Sequence, residues 1–450
     1  MLLLQKRRKG KRNNMIDRPN LLIINCHDLG QHISPYGIKT VNTPALEEMA
    51  GNGVVFSRSF CTSPGCSPSR AAIFTGRYPH ATGVHGLTHG LFKWKLNKDE
   101  VHLAQMMSRA GYDTALVGGF HEHTREDVKR LGYKKYSDGK FIPAAVVASN
   151  AVDYLRKAKS SGKPFFLCAG FFEPHRPYSY DGIKPDSSKG VYVPGYIPQK
   201  TADQKKVARQ EFSELQGSVR RMDEAVGRIL CELRKSGLYE NTAVMFITDH
   251  GISMPRAKCS IYDPGIEAAL IVQAPCWGVG EGKKLDGLVS NVDYVPTILE
   301  ACGIRIPSRV QGRSFLSYMR GGREHRDKVF AEKTYHRIYD PMRCIRTKRY
   351  KLIANFEYNQ TIEIPSDIAI SRFYAHHAAA YAAHRKEFEL YDLEKDRWEQ
   401  NNLSGEKKLA GIEKKLRTEL SKWMHETADP LLKGPIKSVY YRDMLAKMKE

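Results

Sequence analysis

Two acid–imidazole pairs sit where one ion could draw them together. His27-Asp28 follows NLLIIN (Asn20–Asn25) after Cys26, and Asp249-His250 directly follows AVMFIT (Ala243–Thr248). Both runs are short, apolar and rich in branched residues, the pattern of a buried strand. In open α/β sheets, ligands collect beyond the carboxyl ends of the strands. Carboxylates and imidazoles from two such ends can share a divalent cation. Singly, each pair also fits a turn aspartate beside a surface histidine. A third constellation is Cys66-Ser-Pro-Ser-Arg70, within CTSPGCSPSRAAIFTGRYPH. By itself it fits a helix start capped by Ser67 or Ser69. Followed by GRYPH (Gly76–His80), it becomes a combination that is rare by chance.

With both elements present, the chain resembles the sulfatases of the alkaline-phosphatase superfamily, over nearly all of Pro19–Pro430. The resemblance implies that a formylglycine-generating maturation enzyme oxidises Cys66 to an aldehyde. The hydrate of that aldehyde carries two hydroxyls. One can attack sulfur, and collapse of the other expels sulfate, where a serine would stay trapped as its sulfate ester. The resemblance further implies one divalent metal at His27, Asp28, Asp249, His250 and the modified Cys66. Calcium is the expected ion. His27 stands where the family usually has aspartate, and two imidazoles bring manganese or zinc into play. By the same resemblance Arg70 pairs with the deprotonated diol. Lys258, in PRAKCSIYDPG, takes the place of a sulfate-binding cation. His175, in FFEPHRPY, lies on the leaving-group side as a candidate general acid. His121, in VGGFHEH, matches the histidine of a Gly-Lys-x-His element whose lysine is Gly119 here.

Within the sulfatases the resemblance narrows to the sulfamidases, which cleave the N-sulfate of glucosamine in heparan sulfate. It rests on DHGISMPRAKCSIYDPG, on GVHGLTHGLFKW (Gly83–Trp94), on PMRCIRTKRYKL and on the carboxy-terminal stretch from ELYDLEKDRWEQNNLS onward. The implied substrate is an N-sulfated or related sulfated sugar of heparan type. His85, His89 and Trp94 are the candidate pocket rim, with Arg176 near the leaving group and His336 and Arg343 reaching in from the second domain. Two alternatives stay open. One is a phosphodiesterase or phosphonate monoester hydrolase of the same superfamily. The other is a catalytically weak binder of sulfated glycans, suggested by Gly119 and His27.

The elements that must position these residues alternate. Helix patterns at Thr43–Gly51, Glu100–Ala110, Ala144–Lys157, Asp203–Ser236 and Asp293–Ala301 interleave with strand patterns at Asp113–Val117, Pro164–Ala169 and Ala268–Gln273. This predicts an alkaline-phosphatase-like α/β fold, a mainly parallel sheet covered by helices on both faces. Beyond the Gly- and charge-rich Arg320–Asp327, strands at Val329–Ala331, Met342–Ile345 and Tyr350–Asn355 precede a helix at Lys407–Thr427, predicting a smaller α+β domain with an antiparallel sheet. The expected division is a basic disordered tail over 1–18, a catalytic domain over 19–325 and a carboxy-terminal domain over 326–450.

With 450 residues, 41% hydrophobic and 27% charged, the chain reads as globular, not disordered or fibrous. Its net charge of +22 fits an anionic partner such as a sulfated glycan; nucleic-acid and membrane partners are not expected, and a homodimer is left open. No apolar run approaches the ~20 residues of a membrane helix. The opening MLLLQKRRKGKRNN lacks a signal-peptide core, and Met15 is an alternative start. The nine cysteines are scattered without CxxC pairs. Together these features predict free thiols and a cytoplasmic location.

Overall fold

The computed structural model describes residues 18–448, apart from 90–91, 124, 138–141, 281, 325 and 358–359. The expected basic tail thus lies outside the described residues up to position 17. Fourteen strands are described. They are β1 (Asn20–Cys26), β2 (Val54–Phe56), β3 (Ser59–Phe60), β4 (Asp113–Gly118), β5 (Lys135–Ser137), β6 (Phe165–Gly170) and β7 (Thr242–Thr248), then β8 (Leu270–Gln273), β9 (Lys283–Leu285), β10 (Val289–Ser290), β11 (Lys328–Tyr335), β12 (Tyr339–Thr347), β13 (Tyr350–Asn355) and β14 (Phe388–Asp392).

Eight of them form the main sheet, in the order β5-β4-β6-β1-β7-β8-β2-β9. Its pairs are parallel except those on either side of β8. The central strands β1, β6 and β7 are buried on both faces, which is why they read as continuous apolar runs and do not alternate. Leu22 and Ile24 point into one core, shared with the helices Ala144–Ser161 and Ala202–Lys235. Leu21 and Ile23 point into the other, with the helices Cys66–Thr75, Leu103–Arg109 and Tyr294–Ala301. A strand's period of two thus builds both faces of the sandwich.

Neither the helix Pro44–Gly51 nor the helix Cys66–Thr75 is capped by a serine or threonine side chain. Thr43 precedes the helix Pro44–Gly51, but its side chain accepts no helix N–H. Asp223 of the long helix supplies the acceptor instead, taking Ala45 N at 3.0 Å and Leu46 N at 2.9 Å. Gly65, not a serine, precedes the helix Cys66–Thr75. Ser67 and Ser69 are inside the helix and face Thr88 and Asp249 respectively.

The second sheet, β11-β12-β13-β14, is antiparallel throughout. The helix Ala410–Glu426 covers it, with Trp423 stacked on Phe330 at 4.9 Å between ring centroids. Its other face shares a core with the first unit: Val329, Ala331, Met342 and Ile353 pack with Phe60, Cys61, Ile261 and Tyr262. Between β13 and β14 the chain leaves this sheet. Phe373 joins the core around the helix Ala202–Lys235, and this excursion carries the short helix Ser366–Ala369. No helix among the described residues is long and apolar enough to cross a membrane.

Candidate active site

Strands β1 and β7 run parallel in register from Asn20↔Thr242 to Cys26↔Thr248. His27-Asp28 and Asp249-His250 therefore leave the sheet at the same edge, side by side. The two turns are tied together: Asp28 N donates to Asp249 Oδ1 at 3.0 Å, and Gly30 N to the His250 carbonyl at 2.8 Å. Asp28 adopts φ 50°, a left-handed conformation uncommon outside glycine and often met at functional sites. The helix Cys66–Thr75 aims its first residue at this edge. Cys66 Sγ lies 3.3 Å from His250 Nε2 and 3.7 Å from Asp28 Oδ1. One turn on, Arg70 Nε donates to Asp249 Oδ2 at 3.2 Å. Ser69 Oγ donates to the Asp249 carbonyl and accepts from Asn291 Nδ2, anchoring the helix start to β7.

Lys258 completes the centre. Its Nζ donates to Asp28 Oδ2 at 2.7 Å and to Asp367 Oδ2 at 2.9 Å, and lies 3.3 Å from His175 Nε2. The His175 Nδ1–H donates to the Arg176 carbonyl at 2.6 Å, which leaves Nε2 as the working nitrogen. His27 sets Nδ1 3.2 Å from Asp249 Oδ2, and His121 meets its ring edge-on at 4.7 Å.

Charges compensate one another here. Burial alone would raise Asp249, but His250, His27 and Arg70 outweigh it and hold the carboxyl well below the usual range. Asp28 is likewise held low, against burial, chiefly by Lys258. Lys258 and His250 are pushed up by these carboxylates despite burial. Burial and Arg70 bring His27 down to about 4, and burial with His27 lowers His121 well below the usual range, so both imidazoles are neutral ligands or acceptors near pH 7. Burial and Asp28 push the Cys66 thiol up, so the unmodified side chain is a poor nucleophile.

The donor set suits a cation. Ligand atoms of His27, Asp28, Cys66 and Asp249 all lie within 4.8 Å of one another, and all four residues are buried. His250 fixes Nδ1 on the Gly251 carbonyl at 3.0 Å, turning Nε2 toward Asp28 at 3.1 Å. A backbone-held imidazole with its other nitrogen inward is the usual posture of a metal histidine.

The sulfatase family model matches residues 19–304, well over half of the chain. The chain belongs to the sulfatase family. A second model, that of the N-sulphoglucosamine sulphohydrolase C-terminal region, matches residues 256–368. The human N-sulphoglucosamine sulphohydrolase is 26% identical, over 92% of this chain and 92% of its own. A Δ4,5-hexuronate-2-O-sulfatase from Bacteroides thetaiotaomicron is 23% identical, over 92% and 90% of the two chains. Among solved structures, a 2-O glycosaminoglycan sulfatase superposes with TM-score 0.72 at 22% identity, covering 94% of each chain. The phosphonate monoester hydrolase of Agrobacterium radiobacter shares the fold too, with TM-score 0.70 at 18% identity over 92% and 97%. The protein is a sulfuric ester hydrolase, and its family implies formylglycine and a divalent metal.

The fold brings His27, Asp28, Cys66, Arg70, His121, His175, Asp249, His250 and Lys258 of this sulfatase together. The expected rim fares differently. Trp94 is 2% exposed and packs against His85 and Tyr335, so it offers no face to a sugar. His85 turns its ring onto Trp94 and is half-buried. Arg343 is fully buried, with Nε and Nη2 on Asp429 and Nη2 3.4 Å from Glu332, so it is a structural ion pair and not a pocket residue. Arg176 is buried as well, paired with Glu211 and donating to the Ser253 carbonyl at 3.0 and 3.1 Å, so it braces a loop instead of reaching substrate. His336 is buried beside Gly65, 3.5 Å from Glu363. Of the rim, His89 is exposed, with its ring 5.5 Å from His121. Sequence reasoning missed Asp367, Ser253 and Asn291. Ser253 lies within DHGISMPRAKCSIYDPG but was not singled out, Asn291 and Asp367 stand in no motif stretch, and Asp367 meets Lys258 across 109 positions.

Proposed function

We propose that this sulfatase hydrolyses the N-sulfate, or a related O-sulfate, of a glucosamine-type sugar, using formylglycine made from Cys66. The observation that carries the reading is the placement of Cys66. It opens a helix whose Arg70 is locked to Asp249, and its Sγ faces Asp28 and His250 from 3.7 and 3.3 Å. The sugar class is supported by the match of residues 256–368, a span that holds both Lys258 and Asp367, to the N-sulphoglucosamine sulphohydrolase C-terminal model.

The geometry supports the following roles. His27, Asp28, Asp249 and His250 would hold one divalent ion, whose chemistry is to neutralise a sulfate oxygen and favour the deprotonated nucleophile. The two carboxylates favour calcium, and the imidazoles admit manganese or zinc. Arg70 keeps Asp249 charged and oriented. Lys258 donates to sulfate oxygens as negative charge grows on them. His175, with Nδ1 tied to a carbonyl, takes a proton from solvent on its open side and hands it from Nε2 to the departing nitrogen or oxygen. A maturation enzyme would have to reach Cys66 before the helix start is buried, since only 3% of the folded residue is exposed, too little for a second protein.

The test compares kcat/KM for glucosamine N-sulfate, glucosamine 6-sulfate and a phosphodiester. A preference for either sulfated sugar is expected. A phosphodiester favoured more than about tenfold, about 1.4 kcal/mol of transition-state binding, overturns the reading.

A further inference from the structure

The floor of the site and its mouth are made of different residues. Asp28, Cys66, Asp249, His250 and Lys258 are each at most 3% exposed. Two ionisable groups touching that floor stay open: the side chains of His175 and Asp367 are 19% and 20% exposed. His121 packs edge-on against His27, and His89 lies 5.5 Å from His121. A substrate whose sulfur reaches residue 66 leaves its sugar at this partly open mouth, beside His175 and Asp367.

Asp367 comes from the helix Ser366–Ala369, in the excursion between β13 and β14. Its Oδ2 is committed, accepting from Ser253 Oγ at 2.7 Å and Lys258 Nζ at 2.9 Å. Its Oδ1 accepts no hydrogen bond from any described residue. The brace behind it is firm: Glu211 pairs with Arg176, Arg176 donates to the Ser253 carbonyl, and Ser253 Oγ holds Asp367.

We infer that Asp367 determines leaving-group specificity: its free oxygen accepts a hydrogen bond from a hydroxyl or N–H of the departing sugar, and its charge rejects a sugar bearing a second anion next to the scissile sulfate. The inference rests on the sulfated amino-sugar reading. Lys258 can donate to the scissile sulfate, but two of its three protons already serve Asp28 and Asp367, so it has none for a second anion. A vicinal second sulfate would meet a carboxylate at close range, and like charges in a partly buried site discriminate strongly. A hydroxyl at the same position gives Oδ1 the donor it lacks.

The experiment uses the full-length metal-loaded enzyme and two sugars, glucosamine N-sulfate and glucosamine carrying sulfate on both its nitrogen and its 3-hydroxyl. The readout is the ratio of their kcat/KM values, in which any unfolded fraction cancels. Wild type should favour the monosulfated sugar, and Asp367→Asn should shrink that preference by about tenfold or more. Asp367→Ser, which also removes the contact to Lys258, should shrink it as well. An unchanged ratio in both variants overturns the inference. So does loss of all turnover on both sugars in both variants, which would make the carboxylate a mere anchor for Lys258. A wild type that cleaves neither sugar overturns the amino-sugar reading and this inference with it; one that cleaves them at a ratio indifferent to residue 367 overturns this inference alone.

Discussion

Replacing Lys258 by methionine keeps most of the side chain's length and removes its charge. In the structure that charge stands between two carboxylates, 2.7 Å from Asp28 and 2.9 Å from Asp367. Without it, oxygens of Asp28 and Asp367 that lie within 4.8 Å of one another repel by about 3 kcal/mol at an effective dielectric of about 20. The lost attraction adds to this. Against burial, Lys258 brings the Asp367 carboxyl down to about 2, which corresponds to about 2 kcal/mol of stability. The sign follows from linkage. A depressed carboxyl stabilises the fold above its unfolded value and loses that contribution as pH falls toward 2. In Lys258→Met the same carboxyl is raised, so the variant gains stability on acidification while wild type loses it. Urea unfolding after chelation, so that only the chain's own charges act, should show the variant about 3 kcal/mol less stable at pH 7, with the gap closing toward pH 3. Turnover of a sulfated sugar by the metal-loaded variant should fall by about 10²–10³-fold. A stability gap under 1 kcal/mol, or one that stays constant between pH 7 and pH 4, would refute the electrostatic reasoning.

Other expected outcomes are as direct. Arg343→Met strands the Asp429 carboxylate in the interior, while Glu332 keeps His80, and should cost about 3–5 kcal/mol in unfolding free energy, without changing the ratio of kcat/KM between two sulfated sugars. A changed ratio would return Arg343 to the pocket. His27→Asp exchanges a nitrogen ligand for a hard oxygen and should move binding preference, read by calorimetry on the metal-stripped protein, from manganese or zinc toward calcium. Identical preferences in the two proteins would remove His27 from the metal's surroundings. Asp223→Ala uncaps the helix Pro44–Gly51 and should lower stability by about 1 kcal/mol, measured by thermal unfolding.

What the sequence could show was the part built from local rules. NLLIIN and AVMFIT announce buried strands, and the acid–imidazole pair after each marks one sheet edge. The Cys66–Arg70 spacing puts the nucleophile and its brace one helical turn apart, and the structure keeps them there. Long-range partners were not legible. Trp94 in a loop looks like a sugar platform until Tyr335, from the second sheet, closes over it. Arg343 looks like a substrate cation until Asp429 is found 86 positions away. Asp367 has no motif, and reaches Lys258 only because the chain between β13 and β14 leaves its own sheet and packs against the first unit. Strands of two or three residues, such as β3 and β10, carry too little pattern to be read.

The central claim is that Cys66 is converted and then supplies the attacking oxygen. Mass spectrometry of the peptide containing residue 66, from turnover-competent protein of the native source, tests it most directly. The account predicts a lighter peptide, in which one oxygen has replaced the thiol sulfur and two hydrogens, in step with the fraction of active enzyme. It also predicts no turnover in Cys66→Ala, whose fold is intact. An unmodified thiol in protein that hydrolyses sulfate at full rate would contradict it.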